Sequence, residues 1–233
     1  MNMQYNALIA DFKRLIREPI LIILMLVPFL AMIALKLAVV YGSPLLLDWL
    51  GFDLVPYYGY ILSIAILLSP CMLGAVSGFM MIDDRDESMI DLMAVTPMGY
   101  SGYIRNRLVL PFIMSMLYTF VAYFVLDLYP IDFGMLLYIS ILTGIQSLIL
   151  GLLLFSFTDN KVKGLTYAKG LDSLMVTALA DLAGIGWVTA LSALLPFWWI
   201  TCLIMKPATA LNVFLALGVH LVWLGIAFYK AKK

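Results

Sequence analysis

Few side chains in this sequence can do chemistry, and several of them stand where a charge is costly. Asp181 is the one charged residue in the apolar stretch from Ser173 to Met205. A charge at mid-bilayer costs about 2.5–3.5 kcal/mol on insertion scales, so it needs a reason to be there. Asp181 lies about ten residues into a predicted span, which at about 1.5 Å per residue places it near the bilayer centre. Three roles fit: facing a substrate path, pairing with a polar group on another span, or remaining protonated. A carboxyl at that depth would also suit a proton-coupled carrier or a channel. His220, the single histidine, is its candidate partner. A hydrogen-bonded buried histidine is the plainer reading of His220. Gln146 interrupts another apolar stretch, where an interhelical hydrogen bond is the simpler expectation than a ligand contact. Lys36 is expected to snorkel to the headgroups. Cys71 and Cys202 read as small buried hydrophobes. Neither a Cys/His spacing for a metal nor the His, Glu, Asp or Ser cluster of a membrane enzyme is visible, so no catalytic residue and no metal site is expected.

The densest charge lies elsewhere, in Asp83-Asp84-Arg85-Asp86-Glu87. Acidic residues there suit the positive end of a following helix dipole. Met89, Leu92, Met93 and Thr96 then recur on one helical face. Pro97 and Gly99 are expected to stop that helix. The spacing therefore predicts a short amphipathic helix over 83–97, with a Met-rich face suited to a partner.

The elements that position these residues follow from composition. Of 233 residues, 64% are hydrophobic and 12% charged, and mean hydropathy is +1.05. A chain of this size buries only about 70–75% of its surface on folding, too little to hide so much apolar area in water. Soluble enzymes, disordered chains and water-facing binding domains are excluded. The formal net charge is zero, which gives no basic footprint for nucleic acid. An integral protein of the lipid bilayer remains.

Spans of about 20 apolar residues are predicted over 19–40, 57–82, 108–126, 133–158, 171–193 and 207–229. Pro196 breaks the chain after the fifth, so 194–206 is read as a re-entrant segment, with Trp198 and Trp199 at headgroup depth. Twelve of the fourteen basic residues then fall on one side, in the N-terminal segment, the loops after spans two and four, and the tail. Basic residues mark the cytoplasmic side, so both termini are inside and the span number is even. The first span is expected to be retained rather than cleaved as a signal peptide. Leu8, Phe12, Leu15 and Ile16 share a face, so 1–18 is read as an interfacial helix. Gly74 and Gly78 form a G-x-x-x-G for close helix packing, within the subunit or across a dimer. The expected fold is an all-α membrane protein of six transmembrane helices, forming one domain over 1–233.

Arg85, Asp86, Ile90, Asp91, Met93 and Thr96-Pro97 resemble the first-loop pattern of ABC-2 type permeases, the membrane subunits of bacterial ATP-binding-cassette exporters. Ser88-Met89 departs from the Gly-Thr of that pattern. Thr158 to Gly164 resembles the family's entry to span five, and Leu195 to Trp199 its outer re-entrant element. The resemblance implies that 83–97 is a coupling helix seated on an ATPase subunit, with Asp84, Arg85, Asp86, Glu87, Met89, Ile90, Leu92, Met93, Thr96 and Pro97 at the contact. No phosphate-binding GxxxxGK[ST] is present, so ATP and Mg are expected on that partner chain and no cofactor on this one. It also implies a second permease chain, as a homo- or heterodimer, in a bacterial inner membrane. The acidic run resembles that of fluoroquinolone-type drug export permeases.

Overall fold

The computed structural model describes residues 19–94, 99–206 and 209–231. The predicted interfacial helix, together with Thr96 and Pro97, lies outside them. The helices, in chain order, are α1 (Pro19–Leu50), α2 (Tyr58–Asp86), α3 (Met89–Ala94), α4 (Gly99–Leu126), α5 (Phe133–Phe157), α6 (Lys161–Ser173), α7 (Gly186–Ser192), α8 (Pro196–Met205) and α9 (Ala210–Ala231). A 3-10 segment, Leu174–Ala183, continues α6. Among the described residues every regular element is helical, as hydrocarbon requires of an open chain, because each backbone N–H and C=O must find its partner within the segment. This is an all-α membrane protein.

Helices α2 and α5 form the centre. Of their most apolar windows 78% is buried, against 11% for α1, 28% for α4 and 17% for α9. The contact between α2 and α5 is set by small residues. A Cβ on Gly74 would lie 2.8 Å from Leu150 Cβ and 2.9 Å from the Ser147 carbonyl oxygen. On Gly78 it would meet Leu154 at 2.7–3.0 Å. The glycine pair therefore packs two spans of one subunit together, the close approach that small residues permit in lipid. Thr119 of α4 and Thr143 of α5 share a hydroxyl hydrogen bond of 2.7 Å across the next interface.

Several boundaries shift. Helix α1 runs on past Val40 to Leu50, through Pro44. Leu45, Leu46 and Leu47 keep it helical, and Gly51 at φ +64° ends it, with Gly51 N–H donating to Leu47 O at 3.0 Å. Much of the expected outer loop is therefore helix. Lys36 reaches the end of α4, where its Nζ donates to the Leu126 carbonyl at 2.6 Å. Helix α2 extends to Asp86 and α4 begins at Gly99 rather than 108. The predicted helix over 83–97 is divided. Residues 83–86 are the last turn of α2, Ser88 takes a left-handed φ of 57°, and a six-residue α3 follows.

The stretch after α5 is also built differently from the expectation. Helix α6 and the 3-10 segment together are about 40 Å long at rises of about 1.5 and 2.0 Å per residue. This stretch runs antiparallel to α2, from Lys161 beside Asp83 to Asp181 near Tyr60. Gly184, at φ +65°, ends it. Helices α7 and α8 then meet at a 115° bend. Asp181, just before this pair, and Lys206, just after it, are joined by an ion pair of 2.7 Å. A segment whose two ends lie side by side folds back on itself, so α7–α8 forms a hairpin. Among the described residues five helices, α1, α2, α4, α5 and α9, are long and apolar enough to cross a membrane. Residues 171–193 are thus not one helix, and the fold-back begins at Gly186 rather than at 194. Periodicity did not mark α6 because Lys163, Lys169 and Asp172 lower its hydropathy.

Candidate functional site

Two charged clusters sit at opposite ends of the bundle. One surrounds the last turn of α2 beside α3, at what we term the loop end. The other closes the α7–α8 hairpin, at the hairpin end.

At the loop end three consecutive side chains reach three different neighbours. Residues on a helix are spaced about 100° apart, so three in a row fan over about 200°. Asp83 pairs with Lys161 of α6 at 2.8 Å. Asp84 pairs with Arg107 of α4, with Nη2 at 2.5 Å and Nε at 2.8 Å, and accepts from the Tyr103 hydroxyl at 2.5 Å. Arg85 donates to the carbonyls of Phe155 (3.4 Å) and Thr158 and lies 5.1 Å from the centre of the Phe155 ring. A guanidinium there satisfies carbonyls that the end of α5 leaves open. Asp84 is fully buried, Asp83 nearly so. These two acids and Arg85 therefore hold the chain's own helices together, with Asp84 fully buried and Arg85 partly so.

The neighbouring α3 divides its residues differently. Ile90 is buried among core residues, Met89 and Met93 are half-buried, and Leu92 is 60% exposed. Asp86 and Glu87 are exposed beside it. Of the residues expected at the partner contact, Leu92 is thus the apolar one most open to it. Sequence reasoning missed Tyr103 and Arg107 as partners of Asp84. Their four-residue spacing, which puts both on one face of α4, was the available signal.

At the hairpin end Asp181 meets partners other than His220. Its Oδ1 accepts from Trp198 Nε1 at 3.2 Å. Its Oδ2 has the Lys206 ammonium at 2.7 Å as ion-pair partner and accepts no hydrogen bond of ordinary geometry. Lys206 also stands 4.8 Å from the centre of the Trp198 ring. Asp181 lies near Tyr60, two residues after α2 begins, so it is toward the end of the bundle and not at its centre. Trp198 and Trp199, expected at headgroup depth, are buried, and Trp199 Nε1 donates to the Ala193 carbonyl at 2.8 Å. The hairpin itself is the reason: it folds α8 into the bundle, and the indoles satisfy its turn.

Gln146 and His220 are fully buried on α5 and α9. His220 Nδ1 lies 2.7 Å from the Ala216 carbonyl, while His220 Nε2 and Gln146 Oε1 have no partner. Two grooves border the hairpin end instead. One, of about 340 Å³, is apolar and lined by Leu35, Phe52, Tyr57, Tyr60, Ile64 and Leu179 among others. The other, of about 370 Å³, includes Tyr129, Asp132, Met135, Leu203 and Lys206. Among the described residues no group of three or more His, Cys, Asp or Glu is placed to hold a metal.

The architecture is that of a multi-pass membrane protein with a braced loop end, and comparison with known proteins decides the family. The family described as Fluoroquinolones export permease protein Rv2686c-like matches residues 11–229. The chain belongs to that family. Fluoroquinolones export permease protein Rv2686c, from Mycobacterium tuberculosis strain ATCC 25618 / H37Rv, is 26% identical over 194 residues, or 81% of this chain and 76% of the relative. The protein MT2760 of strain CDC 1551 / Oshkosh, which carries the same description, matches to the same extent. No solved structure matches. The relatives are named as export permeases of fluoroquinolones.

Proposed function

We propose that this chain is the permease subunit of an ATP-driven ABC-2 type exporter in a bacterial inner membrane, with the loop end cytoplasmic. The observation that carries the reading is α3: a short helix held by Ile90 between two spans, with Leu92 exposed beside Asp86 and Glu87. This stretch resembles the ABC-2 coupling helix, which supports docking of its exposed Leu92 in a cleft on another protein. That protein is an ATPase subunit, which carries the ATP and Mg. A second permease chain, identical or related, completes the substrate path. The exposed apolar faces of α1 and α9 meet lipid or that second chain.

The cargo is an apolar or amphipathic compound of the fluoroquinolone type, following the relatives. An aromatic, apolar groove of about 340 Å³ at the hairpin end fits such a molecule, since drug-sized ligand sites begin at about 300 Å³. The alternative, a proton-coupled carrier using Asp181, loses support because Asp181 is already engaged by Lys206 and Trp198.

Affinity capture of the tagged chain from its native membranes tests the reading. A P-loop ATPase is expected to copurify, and Leu92→Glu to release it. Drug uptake into inverted vesicles is expected to require ATP and to survive collapse of the proton gradient. Uptake that follows the proton gradient without ATP would establish the carrier instead.

A further inference from the structure

We propose that Asp83, Asp84 and Arg85 form a transmission joint, which converts a displacement of α3 into a concerted displacement of α4, α5 and α6. This rests on the reading of α3 as the docking helix. The three residues position the spans and touch neither partner nor cargo.

The argument is geometric. Between α2 and α3 lie only Glu87 and Ser88. Backbone bonds run through them: Glu87 N–H to Asp83 O at 2.9 Å, Ser88 N–H to Arg85 O at 3.0 Å, and Leu92 N–H to Ser88 O at 3.3 Å. A force applied at exposed Leu92 therefore arrives at the last turn of α2. From that turn each of the three side chains leads to a different element: Asp83 to α6, Asp84 to α4, Arg85 to the end of α5. Charge-assisted bonds are shorter and stronger than neutral ones, and a buried carboxylate cannot leave its partner for water. Asp84 is fully buried, so its link to Arg107 and Tyr103 must move as a unit or break at high cost. An apolar contact at this place would let the helices slide, because lipid tails compete with it on equal terms.

The joint makes a prediction that a merely structural brace does not. Binding of the ATPase and export should separate. With the complex captured from membranes, Asp84→Asn is expected to retain ATPase capture within twofold while export falls at least tenfold. Leu92→Glu is expected to lose both. The half-exposed Lys161 offers variants that keep the fold: Lys161→Met should lower export about threefold with capture intact, and Lys161→Arg should restore it. Export within twofold of wild type in both Asp84→Asn and Lys161→Met overturns the joint, as does loss of capture along with export in Asp84→Asn. If Asp84→Asn fails to reach the membrane, the Lys161 variants decide by the same criteria.

A wild-type chain that exports but captures no ATPase would remove the docking reading alone. The joint is then judged by spin labels at Arg105→Cys and Val162→Cys, with Cys71 and Cys202 replaced by serine. A single narrow distance is expected, broadened in Asp84→Asn. An unchanged distribution in that variant overturns the joint.

Discussion

At the loop end the Asp84 carboxylate is fully buried between an arginine and a tyrosine, whereas at the hairpin end Asp181 retains 13% and Lys206 41% of side-chain exposure. Both are acid–base pairs with an aromatic neighbour, yet they are built to different rules. Burial makes the first pair costly to break, since removing one partner strands a charge with no water to receive it. Exposure of Lys206 weakens the second pair, because water screens that ammonium and can solvate it once the pair breaks. The loop end links four helices through consecutive residues, and the hairpin end closes one local loop. The difference teaches where force can be transmitted and where a chain is merely clasped.

The largest effect is expected from removing Arg107. Arg107→Met removes the cation that neutralises the buried Asp84 carboxylate, and unfolding in detergent should show a loss of about 3–5 kcal/mol. A second large effect belongs to the packing that both ends share. In Gly74→Val the new side chain would meet the Ser147 backbone carbonyl, which cannot swing away, and a loss of about 1–3 kcal/mol is expected in the same measurement. Asp181→Asn should cost less than about 1 kcal/mol, because the pair is partly exposed and an amide oxygen can still accept from Trp198. A loss as large as that of Arg107→Met would erase the contrast between the two ends.

The smallest effect sharpens the contrast from outside both clusters. Asp159 is exposed, and the hydrogen bond and charge of Lys163 hold its carboxyl below the usual range. A depressed folded-state value gives stability that is present above the unfolded value and lost as pH falls through the folded one. Lys163→Ala should therefore leave the melting temperature at pH 7 unchanged within error and slightly flatten its decline on acidification. A clear drop at pH 7 would mean that exposure does not govern these pairs.

Much of this was legible in the sequence. Composition yields an all-α membrane protein, and uninterrupted apolar runs locate α2 and α5 closely. Gly74 and Gly78 announce a close helix contact because only missing side chains allow it. Other features were hidden for physical reasons. Hydropathy undervalues a helix that carries Lys163, Lys169 and Asp172, so α6 was not anticipated. Asp84 looked like a partner-facing acid because charge in a loop usually meets water. Its burial depends on α4 beginning at Gly99, which brings Tyr103 and Arg107 alongside. Asp181 looked central because a straight span was assumed. The hairpin that returns Lys206 to it is a tertiary event with no periodic signature.

The contrast can be read in one experiment: accumulation of a fluoroquinolone by cells expressing the wild-type chain, Asp84→Asn or Asp181→Asn at matched membrane levels. Wild type and Asp181→Asn are expected to keep accumulation low, with at least half of wild-type export retained in the latter, while Asp84→Asn accumulates drug like cells without the permease. Full export by Asp84→Asn together with its loss in Asp181→Asn would contradict the account and move the working machinery to the hairpin end.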